Sequence, residues 1–170
     1  MNSGTIIGDL GAERAVVGCL LLGDMPTVRD VLDRLSDDDL TDPRLVLIVK
    51  AVRQLVDFGI RPDPVTVEGQ LRRTGASRSF TADRSCAVTI ADTAAAPPSV
   101  GSAAHYLTIV IEHAWRRQVE VAGIRLQQVA GTTSLDVLQA VPIEELRALV
   151  LLAARWTAPS PGLGSVGGAA

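Results

Sequence analysis

The tightest constraint on this chain lies in residues 42–75, where two helices are written together with their starts and stops. Asp42 and Asp63 each precede a proline, Pro43 and Pro64. A capping carboxylate takes up free N–H groups of a first helical turn, and a proline there has no N–H to leave unpaired. Gly59 and Gly75 follow the two segments, where a chain leaving a helix adopts the left-handed backbone that glycine enters without strain. Between these marks Leu45, Ile48, Val49, Val52, Leu55 and Val56 fall on one stripe, leaving Arg44, Lys50, Arg53 and Gln54 outward. The second helix is expected from Pro64 to about Thr74.

A chain of 170 residues is long enough for one compact domain with a real core, and too short for that domain plus a nucleotide-driven motor. Nearly half of it is apolar (47%) but only 3% is aromatic, so the core must be built from Ala, Val and Leu. Such side chains suit helix packing better than a sandwich, and the expected class is all-α. The formal charge of −3 offers phosphate backbones no general attraction, so any nucleic-acid surface must come from local clustering. All basic residues except Lys50 are arginine. Cys19 and Cys86 each sit in an apolar helical stretch and read as buried thiols rather than a disulfide. No basic residue precedes an apolar stretch near Met1, and no apolar run approaches the ~20 residues a membrane span needs. The cytoplasm is the expected compartment.

Around the central pair, a first helix is expected over residues 13–22, entered through Asp9 and a turn at Gly11, and a second over 26–35. Asp37, Asp38 and Asp39 read as a solvated loop, because nothing else in the sequence converges on them to hold a cation. A polar connection over 75–83 leads to a fifth helix, about 84–94. Pro97 and Pro98 force a break, with Ser99 placed to cap the next helix.

From residue 99 to about 130 no proline intervenes, which allows one helix of roughly 48 Å at 1.5 Å per residue. Its first half carries a single stripe of Ala103, Leu107, Val110 and Ala114. Its second half carries two: Trp115, Val119, Ala122, Leu126 and Val129 on one face, Val121 and Ile124 on an adjoining one. One stripe needs one partner helix and two need more. A turn over 131–134 and a returning helix over 135–156, restarted at Pro142 with Glu144 and Glu145 in its first turn, complete an antiparallel helical hairpin. Residues 148–154 of that arm are apolar without interruption, and a helix apolar on every side must be covered on every side. Self-association meets that need most simply; folding back on the chain's own domain is the alternative. The expected organisation is a globular domain of about five helices over 1–98, a hairpin over 99–156 for dimerisation, and a disordered Pro/Gly/Ser/Ala tail over 157–170.

Three blocks bear a resemblance. Ala12-Glu13-Arg14-Ala15-Val16-Val17-Gly18-Cys19 running into Leu20, Leu21 and Leu22 is the first, with an acidic residue and a small-residue pair ahead of leucine-rich turns. Residues 42–75 are the second, with a Pro/Asp-Val-Thr helix ending in Leu71-Arg72-Arg73-Thr74-Gly75. Ala91-Asp92, Pro98-Ser99, Ala103, His105, Tyr106, Ile109, Val110 and Glu112 form the third. Together, in order and spacing over about residues 10–130, they resemble the amino-terminal domain of the replicative DNA helicases of the DnaB family. Leu40 and Cys86 stand where aromatics are usual in that family, and 76–83 lacks its Gly-Gly pair. The resemblance implies a module without chemistry of its own, which dimerises through its hairpin, builds a collar on a hexameric motor, and meets primase and loading factors. A motor would need a Gly-rich loop ending in Gly-Lys-Ser/Thr, and the only lysine, Lys50, sits inside a helix with no such loop before it.

No side-chain set points to catalysis, a cofactor or a metal: His105 and His113 lie about 12 Å apart along a helix, too far for one ion. The hairpin residues expected at an interface are Tyr106, Leu107, Val110, Trp115, Val119 and Ala122. Leu126, Val129, Leu149, Leu152 and Trp156 continue the same surface. Arg72-Arg73 and Arg116-Arg117 are the basic pairs that could meet DNA, although helix-surface arginines are more commonly solvated. The expected partners are a second copy of the chain, a full-length replicative helicase, primase or a loader. A small DNA-binding regulator using Arg72 and Arg73, or a helicase remnant, are the alternative readings.

Overall fold

The structure, a computed structural model, describes residues 3–80, 85–131 and 135–157, with residues 3–9, 135–140, 152 and 155–157 described by backbone alone. Seven α-helices and three short 3-10 turns succeed one another, with no strand, among the described residues. The helices are α1 (Ser3–Leu22), α2 (Met25–Arg34), α3 (Pro43–Asp57), α4 (Pro64–Arg73), α5 (Cys86–Ala94), α6 (Ala103–Ala130) and α7 (Leu135–Thr157). They divide into two compact units, residues 1–117 and 118–170, so the boundary falls inside α6 and the Pro97-Pro98 break lies within the first unit.

The capping signals act as their chemistry dictates. Asp63 accepts hydrogen bonds from the N–H groups of Val65 (2.8 Å) and Thr66 (2.9 Å), and the Thr66 hydroxyl accepts the Asp63 N–H in return at 2.9 Å. Asp24 caps α2 through the Thr27 N–H at 3.0 Å, and Ser85 caps α5 through Val88 at 3.3 Å. Gly59 and Gly75 have φ of 72° and 76°, the left-handed conformation their places after α3 and α4 require. Ser99 makes no side-chain cap, contrary to expectation, because a 3-10 turn (Val100–Ser102) intervenes before α6.

Two helices override their punctuation. The chain is helical from Ser3 and continues through Gly11, where a turn was expected. A glycine inside a helix costs only about 1 kcal/mol, and from Ala12 onward α1 buries nearly every side chain, with Val16, Val17, Cys19, Leu20 and Leu21 at 1% exposure or less. α7 runs through Pro142 instead of restarting there. Proline removes one backbone hydrogen bond without forbidding helical φ on either side. The turn residues 132–134 and the tail 158–170 lie outside the described residues, as does the expected start of α5 at residue 84.

The core of the first unit packs α1 against Val28 and Val31 of α2, Leu45, Ile48, Val49 and Val52 of α3, Val67 and Leu71 of α4, and Ile90 of α5. Ala103, Leu107, Val110 and Ile111 of α6 join the same core. Gly18 fixes how closely α1 approaches the end of α5. A methyl group there would lie 2.4 Å from the Thr93 carbonyl oxygen and 2.5 Å from Pro97 Cδ. Gly18→Ala is therefore expected to cost about 2 kcal/mol by overpacking. Gly69→Ala on the open face of α4, where nothing lies within 4 Å, should stabilise by about 0.5–1 kcal/mol through helix propensity. Urea denaturation of the two variants checks both signs.

Candidate interaction surfaces

Glu13 is the most deeply buried charged side chain among the described residues of the first unit, at 1% exposure in the middle of α1. Its carboxylate accepts the Thr41 N–H through both oxygens (3.0 and 2.9 Å), the Thr41 hydroxyl at 2.7 Å and the Asp42 N–H at 3.2 Å. These are the groups immediately ahead of α3, so the acidic residue of α1 binds the entry of a second helix. Asp42 then turns to Arg44: its Oδ1 accepts the Arg44 N–H and Nε, both at 2.9 Å, and its Oδ2 pairs with Nη2 at 2.6 Å. Burial alone would raise the Asp42 pKa, but the Arg44 side-chain and backbone hydrogen bonds outweigh it and hold the carboxyl below its ordinary 3.8.

Three arginines bind carbonyls at element ends, where unpaired C=O groups and the helix dipole attract a cation. Arg53, expected to face outward, donates to the Leu32 carbonyl at 2.9 Å and also to the Leu35 carbonyl at the end of α2. Arg61 donates to Gly23 (3.3 Å) and Leu22 (3.4 Å) at the end of α1. Arg117 donates to the Asp39 carbonyl at 2.6 Å. The three aspartates are accordingly not a solvated loop: they form a 3-10 turn in which Asp39 is buried and accepts the Ser36 N–H at 2.7 Å.

The members of the basic pairs have different partners. Arg72 is paired with Glu68 and Arg116 with Glu112, each one helical turn apart at 2.6 Å, while Arg117 serves Asp39 and Arg73 stands exposed. Arg116's hydrogen bond holds the Glu112 carboxyl below its ordinary value. Cys19 and Cys86 are free and buried, and burial pushes the Cys19 thiol up to about 11. Arg14, Asp42, Arg44, Leu45, Thr89, Asp92 and Thr93 line a small open pocket of about 10 Å³, room for one water molecule. Among the described residues no group of three or more His, Cys, Asp or Glu side chains is placed to hold a metal ion, and no helix is long and apolar enough to cross a membrane.

Of the expected interface residues, Leu107 and Val110 are fully buried in the first unit's own core, with Tyr106 packed against it and Trp115 half-buried. In the second unit α6 and α7 are tied by Arg125 and Glu145 at 2.8 Å. Ala122 is buried and Val129 and Leu149 are half-buried. Val119 and Leu126 stay exposed, as do Val121 and Ile124 on the other flank of α6 and Ile143, Leu146, Val150 and Leu151 on α7. The side chains of Leu152 and Trp156 lie outside the described residues. Sequence reasoning passed over Ile143, Leu146 and Val150 as a stripe, although their spacing of three and four residues carried the signal. It also passed over four exposed side chains of the first unit, Leu22, Phe58, Ile60 and Val65.

A family model described as the DnaB-like helicase N-terminal domain matches residues 8–112. The chain is 33% identical over 135 residues to the replicative DNA helicase DnaB of Mycobacterium leprae, covering 78% of this chain and 22% of that protein. It is 29% identical over 134 residues to the replicative DNA helicase DnaB of Leifsonia xyli subsp. xyli, covering 78% of this chain and 28% of that one. The chain thus spans about a quarter of the length of these two relatives. In structure it is similar to the crystallised N-terminal domain of DnaB helicase from Mycobacterium tuberculosis, with a TM-score of 0.71, 28% identity, and coverage of 82% of this chain and 96% of that one.

Substitutions at two residues test the polar centre. Glu13→Ala strands the N–H groups of Thr41 and Asp42 and is expected to cost about 2 kcal/mol, with Glu13→Gln losing less because one acceptor remains. For Asp42, a folded pKa held below 3.8 means stability present above that pH and lost as pH falls further. Asp42→Asn should flatten this acid limb, as read from urea midpoints measured downward from neutral pH.

Proposed function

Because the chain belongs to the family of DnaB-like helicase N-terminal domains, we propose that it is a non-catalytic interaction and oligomerisation module of DNA replication that self-associates through its α6–α7 hairpin. The observation that carries this reading is the apolar surface of the second unit. Val119, Val121, Ile124 and Leu126 on α6 are 38–48% exposed, and Ile143, Leu146, Val150 and Leu151 on α7 are 53–71% exposed. Isolated exposed leucines are ordinary, but large aliphatic side chains repeated along both arms of one hairpin are a surface that water disfavours. A second hairpin offers the same aliphatic stripes in return, and a twofold pairing satisfies both copies at once.

The globular unit supports the same reading from the other side. Many of its polar groups cap and clamp its own helices, and Arg72 and Arg116 pair with neighbouring glutamates. The reading extends to mixed assemblies with a full-length replicative helicase and to contacts with primase or a loader in the cytoplasm, where the named relatives give the precedent of a replicative helicase.

Size-exclusion chromatography with light scattering tests it, on the chain alone and mixed with the replicative helicase of the same cell. The expected results are a dimer and co-elution. Leu146→Asp with Val150→Asp should raise the dimer dissociation constant by at least about a hundredfold, since a charge buried in an apolar interface costs several kcal/mol. A wild-type chain that stays monomeric at high micromolar concentration overturns the proposal.

A further inference from the structure

A second surface, on the first unit, is built around the junctions of α1 with α2 and of α3 with α4. The Ile60 N–H donates to the Leu55 carbonyl at 2.8 Å and folds the chain back over the end of α3. Arg61, next along, reaches the carbonyls of Leu22 and Gly23 at the end of α1. Asp63 then starts α4 by capping Val65 and Thr66. These ties hold Leu22 against the 58–65 segment. Leu22 is 42% exposed, Phe58 69%, Ile60 41% and Val65 78%. Elsewhere in the described part of the first unit only Val88 is a comparably exposed large apolar side chain, so the exposure is concentrated and not scattered. An exposed phenylalanine is notable in a chain with two, the other of which, Phe80, is buried.

The charges around this patch are unequal. Asp24, Asp57 and Asp63 lie within two residues of Leu22, Phe58 and Val65 in the chain, Asp24 and Asp63 also accepting backbone N–H groups as helix caps, and Arg61 is the basic residue among them. The Arg61 guanidinium is turned onto the carbonyls of Leu22 and Gly23, and the Asp24 carboxyl is held below its ordinary value by its hydrogen bonds with Thr27 first and by the Arg61 charge to a lesser degree. A ligand approaching Phe58 therefore meets apolar surface with a negative border.

We propose that the Leu22–Phe58–Ile60–Val65 patch is a docking site for a basic amphipathic helix of a partner protein, its apolar side chains covering the patch and its Lys or Arg side chains meeting Asp24, Asp57 and Asp63. A helix supplies apolar anchors at three- and four-residue spacing flanked by charges, which is what an apolar patch with a charged border selects. This site rests on the reading of the chain as an interaction module, extends docking to the globular unit and uses no hairpin contact.

The test is a titration of the isotope-labelled full chain, monitored by amide resonances, with a short amphipathic helical peptide of leucine and lysine and with its leucine–glutamate counterpart. The expected result is a shift of the Leu22, Phe58, Ile60 and Val65 resonances by the lysine peptide only, weakened by salt. Phe58→Ser should lower that affinity about tenfold, as for an aromatic anchor, without changing the mass in light scattering. Val65→Ser is a second variant at a side chain too exposed to matter for folding. The Leu146→Asp, Val150→Asp variant should still bind the peptide, which separates this site from the hairpin reading. Equal binding of both peptides, shifts confined to the hairpin, or concentration-dependent shifts of these resonances in the chain alone, which would make a second copy the occupant, each overturn the proposal.

Discussion

The fold of the first unit depends on one carboxylate buried in its central helix. Taking Glu13 out of water is costly, and it is tolerated because four short contacts from Thr41 and Asp42 replace the lost solvation. Those contacts fix where α3 begins against the middle of α1. They also place a negative group at the positive end of α3, which favours the pair electrostatically. Once α3 is held there, its stripe of Leu45, Ile48, Val49 and Val52 meets the small face of α1, and Gly18 on α1 sets the distance to Thr93 and Pro97.

The same logic recurs with the sign reversed. Arg53 and Arg61 bring positive charge to the ends of α2 and α1, and Arg117 brings it to the Asp39 turn. Each bonds a carbonyl that a short helix would otherwise leave to water, and each crosses between elements far apart in sequence. A core of Val, Leu and Ala is smooth and offers little to fix one helix register against another. Directional hydrogen bonds at helix ends supply that register, a role for which the planar guanidinium with its fixed donors is well suited.

The second unit is built differently. Its described residues include an ion pair between α6 and α7 and large aliphatic side chains left 38–71% exposed on both helices. Two helices cannot enclose the stripes that both carry, whereas the five-helix arrangement around α1 encloses nearly all of its own. The contrast between a well-satisfied globular unit and an apolar hairpin underlies the proposed division of labour, with assembly on the hairpin and docking on the globular part.

Much of the fold was legible in the sequence because its signals are local. Asp-Pro starts and glycine stops act within one turn, so α3 and α4 lie where they were expected, and the stripe of α3 is the one found buried. The all-α class came from a composition rich in small aliphatic side chains, and the family resemblance of residues 10–130 rested in part on the local signals. What the sequence could not show depended on groups distant in the chain. Nothing near Glu13 reveals that it caps Thr41, and nothing near Arg53 or Arg117 reveals which carbonyl each reaches, so residues expected in solvent became clamps. Gly11 and Pro142 mark breaks locally, yet the helices continue through both. The sequence by itself determined which segments are helical and which faces are apolar, since periodicity and capping are properties of a few neighbouring residues. Tertiary structure alone decided which apolar faces are covered, because burial and hydrogen-bond partners are set by the elements that the rest of the chain brings alongside.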